Sequence, residues 1–150
     1  MALLAAWVMM VFSTSAIIVL LGISGSANTG SLGLSGFIAA TWRVADEVGP
    51  AVKLVLIAIF AILVLIAERV GTEHLWQRLI LNMSAGFGAM LLTIGLVPEF
   101  LSRGFGIRLT GARFDSLVLP IYLIGGALGG IVFTISVRRC SRRLVLSADR

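Results

Sequence analysis

His74, Cys140, Asn82 and the triplet Ser13-Thr14-Ser15 are the side chains of this sequence best suited to chemistry. A histidine can ligate a metal or move a proton, a thiolate can attack, and clustered hydroxyls can hydrogen-bond another helix or line a wet path. Spacing decides what they can do together. The chain has only 1 histidine and 1 cysteine. Alone it supplies neither paired axial haem ligands, nor a disulfide, nor a Cys/His metal set. No Ser/His/Asp arrangement, HExxH helix, phosphate-cradling glycine loop or Cys pair is present. The acids Asp46, Glu47, Glu68, Glu73, Glu99, Asp115 and Asp149 all fall in connections, at helix ends or in the tail. Pumps and transporters place such groups at membrane depth. The reading is a non-catalytic chain with no cofactor and no metal site. His74 reads as a headgroup-level residue. Cys140 reads as a plain thiol, in a juxtamembrane place that would also suit palmitoylation.

The elements that position these side chains follow from composition. Hydrophobic residues make up 59% of the chain and charged residues 13%, with a mean hydropathy of +1.07. Soluble domains carry about 25% charged residues. No charge occurs between Met1 and Trp42, between Leu79 and Val97, or between Ser116 and Val137. Uncharged apolar runs of about 20 residues are membrane spans. The sequence predicts an all-α integral membrane protein, a four-transmembrane-helix bundle in one domain, with spans at 3–23, 51–67, 79–97 and 117–137. Outer loops then cover 24–50 and 98–116, an inner loop 68–78, and a basic tail 138–150.

Residues 22–36, GISGSANTGSLGLSG, raise the question of a cleaved signal. Gly25 and Ala27 are small enough for a cleavage site, but the N-terminus carries no Lys or Arg and its apolar run exceeds a signal core. An uncleaved first helix is expected. Leu34–Trp42 is apolar but too short to span, and reads as either interfacial or re-entrant. Asp46, Glu47, Gly49 and Pro50 read as the start of the next helix, with acids at its positive end. Lys53, one turn further on, is expected to snorkel to the headgroups.

Basic residues set the orientation. Arg69, Arg78, Arg138, Arg139, Arg142, Arg143 and Arg150 lie on one side of the predicted spans, against Arg43, Arg103, Arg108 and Arg113 on the other and Lys53 at a boundary. The richer side is cytoplasmic, which places both termini there. Arg138, Arg139, Arg142 and Arg143 directly follow the last apolar run and form a cytoplasmic anchor among anionic headgroups. That placement, rather than nucleic-acid binding, accounts for the net charge of +5. In loop 98–116, Glu99 and Arg103 stand at i,i+4, and Arg103, Arg108 and Arg113 with Phe105 and Phe114 offer a patch for lipid phosphates or an acidic partner. The alternative is a solvated loop with local ion pairs.

Three features inside the spans concern packing. Gly125, Gly126, Gly129 and Gly130 form two overlapping GxxxG pairs, a groove without side chains that another helix can approach closely. The partner is a helix of this chain or of another subunit. Ser84/Gly88 and Ala85/Ala89 repeat the spacing on the third span, so spans three and four can meet through small faces, with Asn82 near the inner end bonding across helices or to headgroups. Ser13, Thr14 and Ser15 at the middle of span one are expected to bond back to carbonyls one turn earlier, the alternative being a wet path.

Spans two and three, with their short inner loop, resemble the two-helix hairpin of conjugative-pilus subunits over about a third of the chain, on generic features: apolar helices, glycine-rich turns and basic loop residues. The first and fourth spans depart from that pattern. The expectation drawn from the whole chain is an accessory subunit of a larger membrane complex, with the lipid bilayer and other membrane subunits as partners. The short, Ala/Gly/Arg-rich chain points to a bacterial inner membrane. A homo-oligomeric channel or small-solute transporter is the alternative, and a pilin-like subunit a further one.

Overall fold

In the computed structural model the described residues are 1–21, 33–70, 74–97 and 118–148, with the backbone alone described at 118 and 141–148. They form five α-helices and no strand: α1 (Ala2–Leu20), α2 (Leu34–Glu47), α3 (Pro50–Val70), α4 (Leu75–Leu96) and α5 (Val118–Ala148). Helices α1, α3, α4 and the Leu119–Cys140 part of α5 are each long and apolar enough to cross a membrane. The protein is a multi-pass integral membrane protein.

Charge marks the hydrocarbon boundary but does not end a helix. Helix α4 begins at Leu75, ahead of Gln77 and Arg78, and α5 continues through Arg138, Arg139, Arg142 and Arg143 to Ala148. No glycine or proline interrupts either stretch, and arginine is a good helix former. The stretch before Pro50 differs from the sequence expectation. Asp46 and Glu47 are the last residues of α2, a full 14-residue helix, and do not open α3. Gly49 adopts φ 77°, a left-handed conformation that suits glycine, and its N–H donates to the Asp46 carbonyl at 3.1 Å. Its own carbonyl accepts the N–H of Lys53 at 3.3 Å, so the same residue closes α2 and leads into α3, with Pro50 at the first helical position. Lys53 reaches Asp46 across this turn at 3.9 Å; Asp46 is well exposed, so the pair adds little stability.

Helix α5 is the centre of the fold, packed against α1 on one side and α4 on another, while α3 packs on α4 and α2 on α1. Thr41 and Ala45 of α2 are buried, and Trp42 meets Phe12 of α1 with ring centroids 5.4 Å apart. Leu34 and Ile38 continue the same helical face but are exposed, so α2 seats only its C-terminal half on α1.

The course of α3 is set by three contacts. Near its end, Glu68 meets Arg78 and Asn82 of α4. Near its start, the Lys53 carbonyl accepts the Trp7 indole N–H of α1 at 3.1 Å. Between them, Phe60, fully buried, stands edge-on to Phe133 of α5 at 6.0 Å. Trp7 and Asn82 lie at one level along α5, because the Ala6 carbonyl borders Gly129 and the Asn82 carbonyl borders Gly130. Lys53 to Glu68 is about 22 Å of helix. Between these contacts α3 packs mainly on α4, with a smaller contact to α1. Replacing Trp7 with Phe keeps the ring and removes the donor, and is expected to lower stability by about 1 kcal/mol in thermal unfolding. An unchanged midpoint would mean that the indole bond does not hold α3 in place.

Candidate functional site: the glycine rows and the polar cluster at their end

Helix α5 presents two rows of small residues to two different helices. A Cβ on Gly125 would overlap the Thr14 hydroxyl, and one on Gly129 would overlap Met10 while lying 3.1 Å from the Ala6 carbonyl oxygen. The facing row on α1 is therefore Ala6, Met10 and Thr14, spaced i, i+4, i+8. On the other side a Cβ on Gly126 would overlap the Gly86 carbonyl, and one on Gly130 the Asn82 carbonyl. That facing row on α4 is Asn82, Gly86 and Met90. All four glycines of α5 are buried against this chain's own helices, at separations that only missing side chains permit.

The third-span residues singled out by spacing lie elsewhere on α4. Ser84 is exposed, and a Cβ on Gly88 would meet Leu63 of α3 at 3.4 Å. Ala85 and Ala89 are buried. The hydroxyl triplet bonds within its own helix: Thr14 donates to the Met10 carbonyl at 2.7 Å, Ser15 to Val11 at 2.8 Å and Ser13 to Met10 at 3.4 Å. The Thr14 hydroxyl, satisfied in this way, seats against Gly125.

Where the α4 and α5 rows end, a polar cluster joins three helices. Asn82 is 1% exposed, and its Nδ2 donates to Thr134 Oγ1 at 3.0 Å and to Glu68 Oε1 at 3.3 Å. Thr134 in turn donates to the Gly130 carbonyl at 3.0 Å. The other Glu68 oxygen accepts from Arg78, one turn before Asn82 on the same face. Glu68 and Thr134 are both acceptors here, which fixes the amide with its nitrogen toward them. The Asn82 Oδ1 is buried with no hydrogen-bond partner among the described residues. Chemically the cluster is a clamp. A partly buried ion pair neutralises Glu68, and the amide ties the end of α3 to α4 and to the middle of α5.

Asn82 was legible as a polar residue near a span end; Glu68 and Thr134 were not. A signal did exist. Thr134 continues the Gly126–Gly130 row by one more turn, and Arg78 extends the Asn82–Gly86 row in the same way. Arg138 and Arg139 are exposed at the far end of the span, and Arg142 and Arg143 lie further along α5. Arg103, Arg108 and Arg113, with the rest of loop 98–116, lie outside the described residues, as do Glu73 and the glycine-rich segment 22–32. No protein-family model, curated protein or solved structure matches this chain.

Proposed function

We propose that this chain is a non-catalytic structural subunit of a larger membrane complex, held in a bacterial inner membrane with both termini cytoplasmic. The observation that carries the reading is the way its interior is filled. The four glycines of α5 bring α1 and α4 to backbone contact, and Thr14 and Ser15 spend their hydroxyls on their own helix. Such an interior is a packing body: it fixes helix positions and leaves the outward faces to lipid and to other subunits. Those faces are strongly apolar, with Leu54, Ile62, Leu65 and Ile66 exposed along α3 and Phe87 and Leu91 along α4. The basic C-terminal segment supports the orientation through the arginine bias.

Native mass spectrometry of the tagged protein, extracted gently from its own membrane, tests this. The expected result is a defined assembly with other polypeptides at fixed stoichiometry. A closed ring of this chain alone would overturn the reading in favour of a homo-oligomeric channel. Ion or solute flux through proteoliposomes of the pure protein would do the same.

A further inference from the structure

A cleft of about 240 Å3 opens between the first turns of α4 and the arginine end of α5, lined by Leu75, Leu79, Thr134, Ile135, Arg138 and Arg139. Its lining includes two arginines and three aliphatic side chains. No acid lines the cleft, and neither arginine forms a salt bridge among the described residues. Glu68, which meets Asn82 beside Thr134, is already engaged by Arg78 and Asn82. Thr134, on the same lining, has its hydroxyl hydrogen on the Gly130 carbonyl and receives the Asn82 amide. The cleft therefore offers a ligand positive charge and apolar wall.

An occupant must match both. Arg138 and Arg139 fall in the last turn of the Leu119–Cys140 span, where lipid phosphates sit. Guanidinium binds phosphate oxygens through paired, charge-assisted hydrogen bonds. Basic pockets between membrane helices hold anionic headgroups. The volume is below the roughly 300–1,000 Å3 of pockets that enclose a whole small molecule. It suits part of a molecule whose remainder stays in the bilayer. We propose that this cleft binds one anionic phospholipid, with its phosphate on Arg138 and Arg139 and its first acyl methylenes along Leu75, Leu79 and Ile135. The site stands whichever complex the chain joins. It differs from a diffuse basic anchor in needing the apolar wall as well as the charge.

The test is native mass spectrometry of the full-length protein in non-ionic detergent, titrated with phosphatidylglycerol, phosphatidylcholine or glycerol 3-phosphate. Phosphatidylglycerol is expected to saturate at one molecule per chain, with the other two probes failing to bind over the same range. Replacing Arg138→Gln and Arg139→Gln together should weaken that step about thirtyfold. Ile135→Trp retains both charges and fills the cleft, and it should abolish the one-per-chain step as well. Ile135 is 44% exposed, so the substitution spares the core, and an unchanged far-UV circular dichroism melt would verify this. Wild-type loading of Ile135→Trp, loading that never saturates at one, or equal binding of glycerol 3-phosphate would each overturn the site and leave the arginines as an anchor only.

Discussion

Gly130→Ala is expected to destabilise the bundle by about 3 kcal/mol or more, at or beyond the upper end of ordinary overpacking. The added methyl would overlap the Asn82 carbonyl oxygen and also lie 2.8 Å from the Met83 Cα. Those are backbone atoms, so the only relief is to move α4 as a whole. Gly129→Ala is the matched comparison on the other row, where the methyl overlaps the Met10 side chain and stands 3.1 Å from the Ala6 carbonyl oxygen. Met10 can rotate, and a loss of about 1 kcal/mol is expected there. Gly95→Ala, with nothing within 4 Å of the added carbon, should be neutral or slightly stabilising because alanine is the better helix former. Unfolding in detergent, followed by circular dichroism against added sodium dodecyl sulfate, ranks the three. Equal losses at Gly130 and Gly95 would show that close approach to α4 contributes nothing. At Gly125 the obstacle is the Thr14 hydroxyl, so Thr14→Ala should recover much of the stability that Gly125→Ala removes.

Asn82→Ala is expected to lower stability by about 1–3 kcal/mol, through two lost hydrogen bonds and the space left behind. The loss has a ceiling. Thr134 keeps its bond to the Gly130 carbonyl and Glu68 keeps Arg78, so neither group is left wholly unsatisfied. Thr134→Val removes only one of the two acceptors and should cost about 0.6 kcal/mol, with about 1.7 kcal/mol as the upper end for such bonds between membrane helices. The two changes share a bond, so the double variant should lose less than the sum. Asn82→Leu fills the space and deletes the unpartnered Oδ1, and it should recover part of the loss. If Asn82→Ala unfolds at the wild-type point in the same detergent titration, the polar clamp contributes nothing to stability.

How much of this was legible in the sequence depends on whether a feature belongs to one helix or to two surfaces. Four long helices follow from apolar runs that cross a bilayer's thickness, and those runs need no partner to be recognised. Helix α2 was harder to see. Its apolar stretch looks short alone, and the acids before Pro50 match the rule for a helix start as well as they match their actual place at a helix end. Only the amphipathic continuation through Arg43 to Glu47 separates the two. The glycine groove was legible as a groove, since four-residue spacing puts small residues on one face. Its division between α1 and α4 was not. On α4 the spacing rule favoured pairs such as Ser84 and Gly88, whereas the close contact is made by the lone Gly86 flanked by Asn82 and Met90. A pair on one helix needs no pair opposite. The contact of Phe60 with Phe133 leaves no trace in the residues of α3 alone, because it depends on where another helix lies.

The central place of α5 has a consequence for biogenesis. Helix α3 is synthesised before α5, yet Phe60 lies on Phe133, and α1 and α4 are held on either side of α5. Until α5 emerges from the ribosome, α3 has α4 but lacks Phe133, and α1 and α4 lack the helix that packs against both. Most of the ordered contacts must form late, once the helices have entered the bilayer. A nascent chain stopped before Val118 would hold α1, α3 and α4 in the membrane without the helix that joins them. Such a product should be a preferred substrate for membrane quality-control proteases.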